Sequence, residues 1–194
     1  MKKVFLILLF ATLITSGCCR DEIVDSYRLN QFEKTLIPYN TYEELKFINE
    51  EENIVIINSQ PKTTSISSDR YGPESCRLFE TEATSTYLYI PNLELRLDII
   101  VSSFSSTAFT IRTLNQDASL NASFDLACVG LFDRDIEERF TDISIGEFNF
   151  QNIVVFQDCQ GYSPITQIIY SIENGVEFIE FSNGKWLKLN LGSL

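Results

Sequence analysis

Two Asn-Gly pairs, Asn174-Gly175 and Asn183-Gly184, punctuate the last thirty residues, and each lies between short runs rich in Ile, Val, Phe and Leu. Asn and Gly tolerate the positive φ angles of tight hairpin turns, so a chain with this spacing folds back on itself twice. A three-stranded meander over 165–170, 176–181 and 185–190 is therefore expected to close the domain. Upstream, Leu93-Glu94-Leu95-Arg96-Leu97-Asp98-Ile99 alternates strictly, which puts Leu93, Leu95, Leu97 and Ile99 on one face of a strand and charges on the other. Further strand candidates lie at 44–49, 53–58, 86–90, 94–102, 108–113 and 148–156, separated by Ser, Thr, Asn and Gly clusters.

Helix signals are few. One turn at 42–46 and a short helix at 133–140 are expected, and 61–73 reads as a loop or a polar edge strand. No internal repeat is visible. The expected fold is all-β: an antiparallel β-sandwich, or a partly open barrel, over 41–194, with 18–40 as a tether merging into it. The chain's 194 residues suit one such domain, and 44% hydrophobic against 22% charged residues supports a folded core.

Charge and composition narrow the function classes. Fifteen Lys and Arg stand against 27 Asp and Glu, a net charge of −12, so nothing neutralises phosphates and nucleic acid is excluded as a partner. There is no histidine. A Ser-His-Asp triad, a Cys-His pair and a His-ligated zinc are thereby excluded. No Gly-rich phosphate loop, Ser-x-x-Lys motif or nucleophile elbow is present.

The N-terminus has the three parts of a secretory leader: Met1-Lys2-Lys3, an apolar run from Val4 to Ile14, then small residues up to Gly17. An apolar stretch of eleven residues is too short to span a bilayer stably. Ile14-Thr15-Ser16-Gly17-Cys18 resembles the lipobox of bacterial lipoproteins, although Thr15 stands where that family usually has leucine. The resemblance implies a signal peptide at 1–17, cleavage after Gly17 and a diacylglyceryl thioether on Cys18. Several acyl chains on one cysteine meet the requirement of more than one chain for stable anchoring. Cys19 follows where the enteric sorting scheme needs aspartate for inner-membrane retention, so the resemblance implies passage to the outer membrane. Asp21-Glu22 is similar to the acidic signals that send some lipoproteins to the cell surface. The segment from Gly175 to Leu189 also resembles the endings of uncharacterised secreted proteins of envelope-rich Gram-negative bacteria, a likeness that brings no activity.

Loss of residues 1–17 removes Lys2 and Lys3 and takes the charge from −12 to −14. With Cys18 acylated, Cys19, Cys76, Cys128 and Cys159 remain for an oxidising compartment. Cys128 and Cys159 are the favoured disulfide pair, since they flank one acidic loop and strand unit. Such a closure stabilises by roughly 3–4 kcal/mol in the chain-entropy description. No Cys-x-x-Cys occurs, which excludes a thioredoxin-like motif and a zinc ribbon.

Three constellations remain as candidates for chemistry. Asp133-Arg134-Asp135-Ile136-Glu137-Glu138 opens like a calcium loop, but Glu138 and Ser144 stand where that loop needs Gly and Glu, and a solvated acidic loop is the plainer reading. Paired carboxylates could support glycoside hydrolysis without histidine. Trp186 with Tyr87, Tyr89, Tyr162 and Tyr170 could form a sugar-stacking platform, although strand aromatics more often fill cores. The reading that follows is a lipid-anchored outer-membrane protein acting as a non-catalytic binding or interaction module. Its partners are the membrane, through the anchor, and an envelope glycan or protein, and it needs no cofactor. The alternative is a carboxylate-based carbohydrate-active enzyme.

Overall fold

The computed structural model describes residues 20–115, 122–126, 136–158, 161 and 163–192. Thirteen strands follow in chain order among these: β1 (Glu22–Tyr27), β2 (Glu43–Asn49), β3 (Ile54–Ser59), β4 (Thr63–Arg70), β5 (Arg77–Ile90), β6 (Leu95–Phe104) and β7 (Ser106–Asn115), then β8 (Ala122–Leu126), β9 (Thr141–Ile145), β10 (Phe148–Gln157), β11 (Ile165–Ser171), β12 (Gly175–Phe181) and β13 (Trp186–Leu189). The described helical elements are short 3-10 turns at Glu33–Thr35, Pro91–Leu93 and Ile136–Arg139. The protein is all-β. It divides into two compact units, one made of residues up to Ser26 with Ser68–Glu80, the other of Tyr27–Ser67 with the chain from Thr81 onward.

In the larger unit, hydrogen-bonded neighbours run β5-β3-β2-β13-β12-β11-β10-β8-β7-β6, and β6 pairs again with β5. The circuit therefore returns on itself. Of the two arrangements expected, this single sheet matches the partly open barrel. Two joints are thin in the described registers: Asn58↔Tyr89 with Ser59↔Leu88, and Phe156↔Leu126 with Gln157↔Asp125. The C-terminal meander is present, with β11, β12 and β13 antiparallel in sequence order.

The alternation in β6 does what period two requires. Leu95, Leu97, Ile99 and Val101 are buried, while Arg96 and Phe104 face outward. Leu93 does not join them. It closes the Pro91–Leu93 turn, where Pro91 starts a 3-10 helix and Glu94 takes a left-handed φ of 47°, so the strand begins only at Leu95. The turn expected at 42–46 is likewise corrected: β2 starts at Glu43, and its pairing with β3 overrides a weak local helical tendency. The polar segment 61–73 contains β4, whose eight residues are all exposed beside β5.

Core residues from every strand of the circuit form one cluster. Phe109 of β7 meets Phe156 of β10 and Tyr170 of β11 edge-on, with ring centroids 4.9 and 5.2 Å apart. Such pairs contribute about 0.5–1.5 kcal/mol each beyond the area they bury. The segment 28–40, expected as tether, also enters this core through Leu29, Leu36, Ile37 and Tyr39. Its backbone is held by one core side chain and one half-buried lysine: Tyr170 donates to the Leu36 carbonyl at 2.7 Å, and the Lys62 ammonium donates to the Ile37 carbonyl at 2.8 Å. Apolar residues scattered among Pro, Asn and Thr carry no period, which is why this plug is invisible to pattern reading.

A second cluster covers the outer face of the meander. Phe150 and Ile153 of β10 pack on Ile169 and Phe178, with Phe148, Ile143, Ile145 and Trp186 around them. β10 reaches this face because its register shifts between Phe150 and Ile153, where Asn152 takes a φ of 51° and donates its N–H to the Asp142 carboxylate at 2.8 Å. Strand β11 is thus buried on both faces, which explains the unbroken apolar run Ile168-Ile169-Tyr170.

In the smaller unit, the Glu22 N–H donates to the Cys76 carbonyl at 2.8 Å, and Ser26 donates to the Glu80 carboxylate at 3.3 Å. Arg70 grips Asp21 at 2.8 Å and the Ser75 carbonyl at 2.9 Å. Tyr71 donates to Asp25 and packs on Phe79, ring centroids 5.0 Å apart. Cys76 is disulfide-bonded.

Candidate functional site

A groove of about 200 Å³ opens at one end of the larger unit, where the β2–β3 turn, the β5–β6 connection and the β12–β13 turn converge. Val55, Ile90, Phe181, Leu187 and Trp186 give it an apolar lining, and half-exposed Leu93 adds an apolar lip. Asn49, Glu50, Asn92, Asn183 and Lys185 supply polar groups. Few convergent polar groups over an apolar lining are the ordinary chemistry of a small-molecule site. The volume is below the ~300–1,000 Å³ of drug-sized pockets, so it suits one ring rather than a long chain.

Turn chemistry positions these groups. Gly184 takes a φ of 79°, and the Asn183 side-chain Oδ1 accepts the Lys185 N–H at 3.0 Å, so the hairpin delivers Trp186 opposite Glu180. Period two sends Leu187 and Leu189 inward and Trp186 outward. There Trp186 stacks on Phe178 at 6.0 Å with 22° between the planes, and meets Phe148 edge-on at 5.0 Å. Across the groove, the Asn49 side chain accepts the Glu51 and Asn53 N–H groups at 3.1 and 2.8 Å, and Glu52 takes a φ of 61°. The like-charge run Glu50-Glu51-Glu52 is therefore the ordered turn that forms one wall. Lys185 faces Glu50 at 3.7 Å with both side chains substantially exposed, a pair worth little by itself.

The aromatic platform read from sequence does not assemble as one surface. Trp186 lines the groove, but Tyr170 is fully buried in the core. Burial pushes its phenol well above the usual tyrosine range, with Tyr39 adding to the effect, so it remains a neutral donor. Tyr87 carries the Arg96 guanidinium over its ring at 4.1 Å, and Tyr89 is partly exposed on the same strand. Tyr162 lies outside the described residues.

Carboxylates gather elsewhere. Glu43, Glu44 and Glu173 line a broad depression of about 840 Å³ with Tyr39, Lys46 and Asn174. Glu82 is the carboxylate most tightly built in. Lys34 binds it at 2.9 Å and the Leu29 N–H at 3.0 Å, and the lysine above all holds its pKa below the usual range. That is a structural role, tying the plug to β5. Among the described residues no three Cys, Asp or Glu come together as a metal-holding group. Of the acidic stretch 133–138, residues 133–135 lie outside the described residues, and Ile136–Arg139 form a 3-10 turn.

Cys18, Cys128 and Cys159 also lie outside the described residues. Pattern reading singled out Trp186 but missed Asn49, Asn92 and Lys185 beside it. Those residues come from three separate connections, and only closure of the circuit makes them neighbours. No known protein family, curated protein or solved structure matches the chain.

Proposed function

We propose that this protein is a lipid-anchored outer-membrane lipoprotein whose larger unit is a non-catalytic binding module for a small ring-shaped envelope ligand, a sugar in the first instance. The lipobox resemblance at Cys18 supports the address. The observation that carries the binding reading is the groove itself, with an indole beside amide, carboxylate and ammonium groups. A sugar presents C–H groups on one face and hydroxyls at its edge, and an aromatic face with polar neighbours satisfies both.

The test is titration of monosaccharides and short glycans against the intact protein, beside the Trp186→Ala and Asn92→Ala variants. Binding of at least one glycan by the unsubstituted protein is expected, and both substitutions should weaken it. Binding that survives both would remove the groove from the reading. The alternative enzyme would draw on the Glu43, Glu44 and Glu173 depression. Glycan turnover lost in Glu173→Gln, with the groove variants unaffected, would establish that alternative instead.

A further inference from the structure

Gln60-Pro61 is where β3 gives way to β4 along β5. The Gln60 N–H donates to the Tyr87 carbonyl at 3.0 Å, but Pro61 has no N–H to offer, and β4 takes up beside β5 only from Thr63. The break leaves a pocket of about 460 Å³ on the outer face of β5 and β6, inside the ~300–1,000 Å³ range of small-molecule sites. Ser85, Tyr87, Arg96 and Asp98 reach it because they alternate along their strands with the buried Thr86, Leu97 and Ile99. Register sets Tyr87 directly opposite Asp98. We propose that this pocket is a second binding site, for a hydroxylated carboxylic acid one ring in size, a uronic acid. It shares no lining residue with the groove at Trp186 and does not rest on that reading.

Arg96 carries the argument. Its guanidinium is fixed twice: its centre lies over the Tyr87 ring, 4.1 Å from the centroid, and its Nε donates to the Asp98 carboxylate. Among the described residues, none accepts a hydrogen bond from its two terminal nitrogens. Those nitrogens form the planar fork that meets a carboxylate with two parallel bonds, and a fork already held in place loses little freedom on binding. Asp98 does not cancel this charge, because its register partner on β7 is a second arginine, the exposed Arg112. Two guanidiniums thus stand against one carboxylate on the outward positions of this face, in a chain whose net charge is −12. Such a place attracts an anion.

The other groups around the pocket select what bears the carboxylate. The Gln60 amide and the Ser85 and Tyr87 hydroxyls line it without bonding to any other described residue, so their donors and acceptors are open to ring hydroxyls. Thr63 is committed, its hydroxyl donating to the Ser85 carbonyl at 3.5 Å. Pro61 and Ile100 supply apolar contact for the C–H groups of a sugar ring. A simple apolar acid would leave the amide and both hydroxyls unmatched, and a neutral sugar would leave the Arg96 fork unmatched.

Galacturonate and glucuronate, each beside its neutral parent galactose or glucose, provide the test, with binding to the intact protein followed by saturation-transfer NMR. At least one uronate should bind about tenfold or more tightly than its parent, the loss expected when a charge-assisted hydrogen bond has no partner. Arg96→Lys keeps the charge but removes the fork, and should erase that preference. Arg96→Gln serves the same purpose should the lysine variant fail to fold. Tyr87→Phe keeps the ring under the guanidinium and should weaken the uronate while preserving the preference. Trp186→Ala should leave the preference intact, whereas a neutral sugar held in the groove is lost there, so the two sites fail separately. If neither uronate is preferred over its parent, or the preference survives the Arg96 substitutions, the proposal is overturned. A preference lost in Trp186→Ala but kept in Arg96→Lys would overturn it too, and would move the carboxylate to Lys185 in the groove.

Discussion

Gly175→Ala tests the tightest contact between the buried plug and the meander. Gly175 takes a φ of 74°, which costs a residue with a Cβ about 1–2 kcal/mol. A methyl there would also sit 2.0 Å from the Tyr39 hydroxyl oxygen and 2.3 Å from its Cζ, so the ring must withdraw. That hydroxyl accepts the buried Val176 N–H at 2.8 Å and donates to the Asn174 carbonyl at 3.4 Å. Leaving the Val176 N–H without its acceptor adds about 1–3 kcal/mol. The substitution should therefore cost about 2–5 kcal/mol, a large part of the ~5–15 kcal/mol that holds an ordinary domain together. In a Tyr39→Leu background the ring is absent, and the same change should cost only the backbone part. Urea unfolding followed through the fluorescence of Trp186, the one tryptophan, measures all four corners of this cycle on the soluble chain from Cys19. An equal cost of Gly175→Ala in both backgrounds would refute the argument that Tyr39 and Gly175 share one space.

Tyr39→Phe alone should destabilise by about 1–3 kcal/mol in the same assay, because the Val176 N–H loses its acceptor while the ring stays. Glu82→Ala should cost a similar ~1–3 kcal/mol by stranding the Leu29 N–H, most of it outside the half-exposed Lys34 pair. Since the folded pKa of Glu82 lies below its ordinary value, its contribution is present above the unfolded glutamate pKa near ~4.3 and fades as pH falls through the folded value. The gap between the two proteins should accordingly be full at pH 7 and shrink in acid; a gap that widens in acid would contradict the sign. Cys18→Ala should abolish incorporation of clickable palmitate, and label retained on that variant would refute the lipobox assignment. Far-UV circular dichroism of the soluble chain should be dominated by strand, with helix well under the ~30–35% of an ordinary globular domain.

What the residues determine locally is the C-terminal meander and the buried face of β6. Asn174-Gly175 and Asn183-Gly184 set the meander, because few other dipeptides accept the turn angles, and the alternation through Leu95, Leu97 and Ile99 names the buried face of β6 before any partner is known. Signals of this kind lie within a few residues of one another. β1 and the first half of β5 are mostly exposed or half-buried and carry no comparable period; the plug with Leu29, Leu36 and Tyr39 carries none either, and it is buried because other strands need covering. β11 looks unpatterned in sequence for the opposite reason: a hairpin bent at Asn152 buries its second face, and two-sided burial erases alternation. The groove belongs wholly to the tertiary structure. Trp186 is legible as an aromatic on a strand, but Asn49, Asn92 and Lys185 become its neighbours only when β5 pairs with both β3 and β6 and brings three distant turns to one end.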